Sequence, residues 1–290
     1  MDKKYFGTDG IRGKVGENPI TPQFILQLGW AFGKTLCLDK PKKVIIGKDT
    51  RLSGYMLESV LEAGLVAAGI NVIQLGPMPT PVISFLTRHL HVAGGIVISA
   101  SHNPYYDNGI KFFDSDGFKL CDEKELAIEA FLAKPLTTIE NEFIGKAERL
   151  PDAPLMYEDF CYNRFKDTLD LKGVACVLDC AHGAMYQIAP HLFERFGAKI
   201  TKIGCKPDGL NINEKVGSVY PQALQARVRE EKAKFGIAFD GDGDRVILID
   251  EMGECLDGDE ILYIIARGRL ETKTLKGGVV GTIMTNFGIE

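Results

Sequence analysis

Short apolar runs alternate with segments whose apolar residues return at helical spacing, the rhythm of a mainly parallel α/β sheet. The run at 44–46 reads as a buried strand. Leu57, Val60, Leu61, Gly64, Leu65 and Ala68 then mark one face of a helix that Gly69 can terminate. Strands follow at 71–75 and 95–99, with a helix between them that opens near Pro81 and runs to about Arg88. The polar stretch 134–148 closes this unit, and Pro151 and Pro154 mark a linker. A second series has strands at 174–178, 199–203, 236–239 and 246–249 and helices at 186–196 and 223–234. A third begins with a turn at Asp257 and Gly258, a helix over 259–269 and a strand over 279–283. The expected fold is therefore α/β, with successive similar βα-rich domains on mixed, mainly parallel sheets. Two are complete (1–150 and 151–254) and a third is begun (255–290), without a visible sequence repeat.

Charge and cysteine content narrow the function classes. Lysine and arginine number 34 against 39 acidic residues, a net −5, so no basic face offers itself to a nucleic-acid backbone. Any phosphate must be met by local groups. No run approaches the roughly 18 apolar residues of a membrane span, and the N-terminus lacks the apolar core of a secretory signal. The seven cysteines (37, 121, 161, 176, 180, 205, 255) are scattered and contain no C-x-x-C pair, which fits a reduced, cytoplasmic setting. Cys176 and Cys180 read as buried small hydrophobes.

The sharpest chemical signal is Phe-Asp-Gly-Asp-Gly-Asp-Arg over 239–245. Carboxylates at alternate positions project to one side, and three together repel unless a cation joins them. Hard oxygen ligands suit Mg²⁺, so Asp240, Asp242 and Asp244 are candidate metal ligands and Arg245 a phosphate partner. An EF-hand would need glycine where Arg245 stands. An aspartyl-phosphate phosphatase with Asp240 as nucleophile and a solvated acidic turn are the other local readings. The group at 257–260 reads as a turn and acidic helix start, not a site.

A second signal is Ser-Ala-Ser-His-Asn-Pro over 99–104, a small-residue loop at the carboxyl end of a strand, where α/β proteins bind ligands. A serine there needs a base or a metal to act as nucleophile. Phe-Gly-Thr-Asp-Gly-Ile-Arg-Gly over 6–13 brings glycines around Arg12, and Lys111 sits in a strand after the turn at Asn108. Both read locally as structure, with phosphate contact or proton transfer as the sharper alternative. His182, just after the strand that carries Asp179, reads as loop structure.

In this order the segments resemble the α-D-phosphohexomutase superfamily, whose members carry Ser-His-Asn-Pro as a phosphoserine loop and Asp-Gly-Asp-Gly-Asp-Arg as a metal loop. The opening segment, Gly-Lys-Asp-Thr-Arg-Leu-Ser-Gly over 47–54 and Pro-Asp-Gly-Leu-Asn-Ile-Asn over 207–213 resemble members that act on glucosamine phosphates. The resemblance implies one Mg²⁺ held by Asp240, Asp242, Asp244 and the phosphate on Ser101. It implies a reaction centre lined by Arg12, His102, Lys111 and Arg245, with Lys111 the leading general acid/base.

The implied reaction interconverts glucosamine 6-phosphate and glucosamine 1-phosphate through a glucosamine 1,6-bisphosphate, feeding amino-sugar nucleotide and cell-wall precursors. Mannose and glucose phosphates are the alternative substrates, and sugar-phosphate binding without turnover is the non-catalytic alternative. The implied partner is a small hexosamine phosphate, with no nucleic acid or membrane and with a homodimer left open.

Family members continue into a sugar-selecting Gly-Glu-x-Ser-Gly-His loop and a fourth domain with a phosphate-gripping Arg-x-Ser-Gly-Thr loop. Neither occurs before Glu290, so the expectation is a chain cut mid-domain, with domain IV absent and weak or no turnover. Val-Gly-Ser-Val-Tyr-Pro over 216–221 departs from the family's usual Cys-Gly-Ser-Thr-His.

Overall fold

The computed structural model describes residues 3–36 and 42–286. Cys37 and the first two and last four residues, on which parts of the sequence reading fall, lie outside the described residues. Two mixed sheets organise the chain. The first contains β1 (Ile11–Lys14), β2 (Lys43–Lys48), β3 (Asn71–Pro77), β4 (Gly94–Ile98), β5 (Asp107–Phe113) and β6 (Ala147–Arg149), in the order β1-β5-β4-β2-β3-β6. Strands β4, β2, β3 and β6 run parallel, while β5 lies antiparallel between β4 and β1. The second sheet contains β7 (Ala175–Asp179), β8 (Lys199–Ile203), β9 (Phe235–Phe239), β10 (Val246–Ile249) and β11 (Cys255–Leu256), in the order β11-β10-β9-β7-β8. Here β8, β7 and β9 are parallel and β10 turns back on β9.

Helices cover both faces of the first sheet. Val44 and Ile46 of β2 face α1 (Pro22–Thr35), α2 (Leu52–Ala67) and α4 (Asp122–Leu132), and Ile45 between them faces α3 (Thr80–His89) and α5 (Ala153–Phe165). Alternating strand residues thus point into two separate cores, which is why the strand reads as a continuous apolar run. In the second sheet Val177 packs with Leu224 and Val228 of α7 (Gln222–Glu231), while Cys176 and Leu178 face Ala189 of α6 (Ile188–Arg195). Both cysteines are buried, as their flanking strand pattern implies.

The two sheets repeat one plan. The series β2-α2-β3-α3-β4-β5 has the same order and strand directions as β7-α6-β8-α7-β9-β10. In each, the last parallel strand enters a loop at its carboxyl end and the chain returns antiparallel. The Ser101 loop follows β4, and the three-aspartate loop follows β9. The two chemical motifs therefore occupy equivalent positions in structurally repeated units.

Three features differ from the sequence reading. Pro151 and Pro154 do not mark an extended linker: α5 begins at Ala153, with Pro154 in its first turn, where its missing N–H costs nothing. This helix packs against both α3 and α6, and Ala153 is fully buried in the first unit's core. The polar stretch before it contains β6, paired to β3. The segment 279–283 forms no strand: Val280 and Ile283 are exposed, and among the described residues no strand lies alongside to pair with them. A β-branched run becomes a strand only where a neighbour completes its hydrogen bonds. Before it, α8 (Gly258–Glu271) starts in a capping box between Asp257 and Glu260, the helix start expected there.

Candidate active site at the facing loops

Ser101 and the three aspartates meet where the carboxyl ends of β4 and β9 face each other. The Ser101 hydroxyl donates to Asp240 Oδ2 at 2.6 Å, and the serine is 1% exposed. Its backbone has φ of +54°, in the left-handed region that non-glycine residues rarely adopt. Several bonds hold it there. The Ser101 N–H donates to Ser99 Oγ at 2.9 Å, and the fully buried Arg51 donates to the carbonyls of Ser101, at 3.2 Å, and Asn103. Asp49 in turn pairs with Arg51. Arg51, whose motif entered the sequence reading only as part of a resemblance, is thus the internal brace of the serine loop.

The other side of the loop is held by the second unit. The Asn213 side chain donates to the Ser101 carbonyl at 3.0 Å and to the Asn103 carbonyl at 3.1 Å. Thr50 donates through its hydroxyl to the His182 carbonyl, and Leu52 N–H to the Gly209 carbonyl at 2.9 Å. His182 has the loop role assigned to it: its Nδ1 accepts the Lys206 N–H. Gly241 permits the close approach of the aspartate loop. A Cβ there would stand 2.6 Å from the Ser101 carbonyl oxygen and 2.8 Å from Ile212. The segment 216–221, which departs from the family pattern, sits at the carboxyl edge of the second sheet: buried Asp179 accepts the Gly217 N–H at 2.7 Å.

One ligand oxygen from each of Asp240, Asp242 and Asp244 lies within 4.8 Å of the others. Asp240 and Asp242 are fully buried and Asp244 is exposed. Burial, together with the charges of Asp242 and Asp244, pushes Asp240 up to about 6. Burial opposes the charge of Asp242 too, but Lys111 beside it outweighs that and holds Asp242 below the usual carboxylate range. Asp242 Oδ2 accepts from Lys111 Nζ at 2.7 Å and from the Thr80 hydroxyl at 2.6 Å. Its other oxygen, Oδ1, is buried without a hydrogen-bond partner among the described residues. An orphaned carboxylate oxygen within a repelling acidic cluster fits a cation. The donor set, all hard oxygen, fits a magnesium-like ion better than a soft one.

Lys111 also reaches Asp244 at 3.1 Å and Asp9 at 3.2 Å. Burial disfavours its charge, but these carboxylates more than compensate and raise its pKa, so it stands as an ammonium. Asp9, absent from the candidate residues read from sequence, ties the basic groups together: its carboxylate pairs with Arg12, Lys111 and Lys119. Burial pushes Asp9 up, yet the two lysines hold it well below the usual range. Burial, aided by Arg245 and Arg12, lowers the pKa of His102 and favours its neutral form. Arg245 gives its backbone N–H to Asp240 at 3.1 Å, and its side chain is exposed. All eight candidate residues (Arg12, Ser101, His102, Lys111, Asp240, Asp242, Asp244 and Arg245) thus belong to one cleft. Asp9, Arg51, Thr80 and Asn213 are the additional residues that hold it.

Two family profiles match the chain over most of its length: phosphoglucomutase/phosphomannomutase alpha/beta/alpha domain I over residues 3–138, and domain II over residues 157–253. The chain belongs to the phosphoglucomutase/phosphomannomutase family. It is 61% identical over 289 residues to the phosphoglucosamine mutase of Aliivibrio salmonicida, and 62% identical over 290 residues to that of Nitrosococcus oceani. These alignments take in all of this chain and 65% and 64% of those proteins. The chain therefore spans about two-thirds of the length of the curated relatives it matches. Among solved structures, a phosphoglucomutase/phosphomannomutase family protein from Burkholderia thailandensis superposes with a TM-score of 0.78 at 26% identity, over 92% of this chain and 59% of that one. A putative phosphomannomutase from Thermus thermophilus gives the same TM-score at 28% identity, over 92% of this chain and 61% of that one. Among the described residues no helix is long and apolar enough to cross a membrane.

Proposed function

We propose that this chain carries the phosphoserine and metal-binding parts of a phosphoglucosamine mutase, interconverting glucosamine 6-phosphate and glucosamine 1-phosphate through a glucosamine 1,6-bisphosphate. The observation that carries the reading is the 2.6 Å hydrogen bond from the Ser101 hydroxyl to Asp240, the first residue of the acidic triad. The high identity to phosphoglucosamine mutases favours the amino sugar over mannose or glucose phosphates. In this reading the units are 1–150, 151–254 and the beginning of a third over 255–290.

Asp240, Asp242 and Asp244 would hold one Mg²⁺, with the phosphate on Ser101 as a further ligand. When bound, the ion offsets negative charge on the transferring phosphoryl group. The chain's own groups do the rest. Arg51 and Asn213 fix the serine loop, so Ser101 Oγ is aimed before substrate arrives, and positioning is most of what phosphoryl transfer needs. In the phosphorylating direction Ser101 Oγ forms the bond to phosphorus as the bond to the sugar oxygen breaks. Asp240 accepts the serine proton, and the departing sugar oxygen takes up a proton to become a hydroxyl. Lys111, held as an ammonium, is the group suited to supply that proton. Arg12 and Arg245 bring positive charge to the cleft mouth, where a second phosphate on the sugar would be met.

The test is intact-mass and peptide-mapping spectrometry of the chain after exposure to glucosamine 1,6-bisphosphate with Mg²⁺. The expected result is a single phosphate on Ser101 that is absent from Ser101→Ala. A chain that never acquires phosphate overturns the reading. Phosphate on Asp240 instead would make it an aspartyl-phosphate enzyme.

A further inference from the structure

A second opening, of about 350 Å³, lies on the same edge of the first sheet but on the far side of β2 from the Ser101 loop. It forms at the carboxyl ends of β2, β3 and β6, where Lys48, Gly76 and Arg149 close those strands, and the first turns of α2 supply Tyr55 and Glu58. Two charged side chains are buried in it. Lys48 is 3% and Glu58 6% exposed, and they pair through Glu58 Oε2. The other carboxylate oxygen, Glu58 Oε1, is buried and accepts no hydrogen bond among the described residues. Lys48 Nζ stands 4.5 Å over the Tyr55 ring, and Glu58 is the one hydrogen-bond acceptor it meets among the described residues. Two of its three N–H groups therefore remain available.

The rim is basic. Arg149 donates through Nε to Gln74 Oε1 at 3.3 Å, and its terminal nitrogens make no hydrogen bond among the described residues. Gln74 is oriented for this contact because its Nε2 donates to Glu62. The cavity thus offers a buried acceptor lacking a donor, an ammonium with spare donors, and a guanidinium fork facing outward. A bare anion would satisfy the guanidinium but would be repelled by Glu58. A neutral polyol would satisfy Glu58 and leave the fork unmet. Only a molecule with both an anionic group and a hydroxyl or amine answers all three. The volume falls at the small-molecule end of ligand cavities, and the half-exposed Tyr55 ring gives a face for C–H groups.

We propose that this cavity binds a small phosphate monoester bearing a hydroxyl or amino group, a sugar phosphate in chemical class, as a site separate from the Ser101 cleft. Its described lining includes no acidic triad and no serine, threonine or cysteine, so it binds without transferring phosphate. Its floor leads directly to the catalytic loop. Lys48 is followed by Asp49, Thr50 and Arg51, the residues that pair with, brace or tie down the Ser101 segment and its neighbour across the cleft. The inference does not depend on which sugar the family reading assigns.

The experiment is an amide NMR titration of the whole chain with glucosamine 6-phosphate and, separately, with inorganic phosphate, reading Gly76 and Tyr55 for this cavity and Gly241 for the cleft. The sugar phosphate is expected to shift Gly76 and Tyr55 saturably, with inorganic phosphate at least about tenfold weaker at those amides. Arg149→Ala changes an exposed side chain and leaves the buried pair intact. It is expected to weaken the Gly76 response by about tenfold or more while the Gly241 response stays unchanged. Tyr55→Ala is the second variant and should weaken the same response. Glu58→Gln is avoided, since it would strand the buried Lys48 charge. No saturable shift at Gly76, inorganic phosphate binding as well as the sugar phosphate, or an Arg149→Ala response equal to the parent's would each overturn the proposal.

Discussion

The side-chain amide of Asn213 donates to the carbonyl of Ser101 at 3.0 Å, joining loops of the two units across 112 positions. The same amide also bonds the Asn103 carbonyl, so one side chain of the second unit fixes both ends of the serine turn. Arg51 grips the same two carbonyls from within the first unit. The serine loop is therefore shaped from both sides of the cleft, and each unit bonds the same two carbonyls around its left-handed residue. Asn213 itself has φ of +59°, a conformation that asparagine tolerates better than most residues.

Replacing Asn213 by alanine should cost about 1–3 kcal/mol, because two donors are lost and a left-handed residue loses its favourable side chain. Uptake of phosphate on Ser101 should slow by about tenfold or more, since the nucleophile is no longer aimed. Time-resolved intact mass measures the rate, and a denaturant titration measures the stability. A rate equal to the parent's would mean that Arg51 alone suffices to shape the loop.

The two motifs and the elements that carry them were legible in the sequence for a local reason. Each sits at the end of a buried strand, and alternating aspartates or a small-residue turn are chemically distinctive within six residues. The residues that hold the site were not legible in that way. Thr80 bonds Asp242 across 162 positions, and Asp9 gathers Arg12, Lys111 and Lys119 only once β1 lies beside β5. Such contacts leave no periodic trace.

Whole elements differ in how plainly the sequence marks them. Helix α1 carries Ile25, Leu28, Phe32 and an N-cap at Thr21, so its helical signal lies in the sequence itself. At α5 the prolines pointed both ways, since a proline that ends one element can begin the next. At 279–283 an apolar run pointed to a strand whose partner the described residues do not contain.

Gly241 to alanine tests how tightly the loops must meet. The added methyl would fall on the Ser101 carbonyl and within 2.9 Å of the Asn213 side-chain nitrogen, so loop backbone must move. The expected cost is about 1–3 kcal/mol of stability. Phosphate uptake on Ser101 should drop with it, because the displaced contact is the one that positions the nucleophile. An unchanged melting temperature together with unchanged uptake would show that the loops separate freely.

Magnesium should stabilise the chain by discharging the acidic cluster. At a hundred times its dissociation constant, the ion would add about 2.7 kcal/mol, visible as a rise in melting temperature that a chelator reverses. Asp242→Asn removes the negative charge that faces both Lys111 and the cluster and replaces one of its two oxygens by an NH2, and should abolish most of this rise. Calorimetric titration of the metal provides the direct measurement. A variant that keeps the parent's metal affinity would remove Asp242 from the ligand set.

Asp179 gives a pH dependence that lies away from the metal cluster. It is fully buried and accepts N–H groups from Ala181, at 2.9 Å, and Gly217, at 2.7 Å. Burial nevertheless dominates and raises its pKa above the usual value, the two N–H groups opposing it. The folded chain thus binds this proton more tightly than the unfolded chain does, and folding is favoured by protonation. The contribution is fully present below the unfolded carboxyl pKa, near 4, and is lost as pH rises through the higher folded value. Asp179→Asn cannot titrate, and its amide can accept only one of the two N–H groups, so it should be less stable than the parent at every pH. The gap between parent and variant should narrow as pH climbs from about 4 towards neutrality. Denaturant midpoints of both proteins across that range measure the gap, and one that widens with pH would mean that the N–H bonds outweigh burial and hold Asp179 ionised.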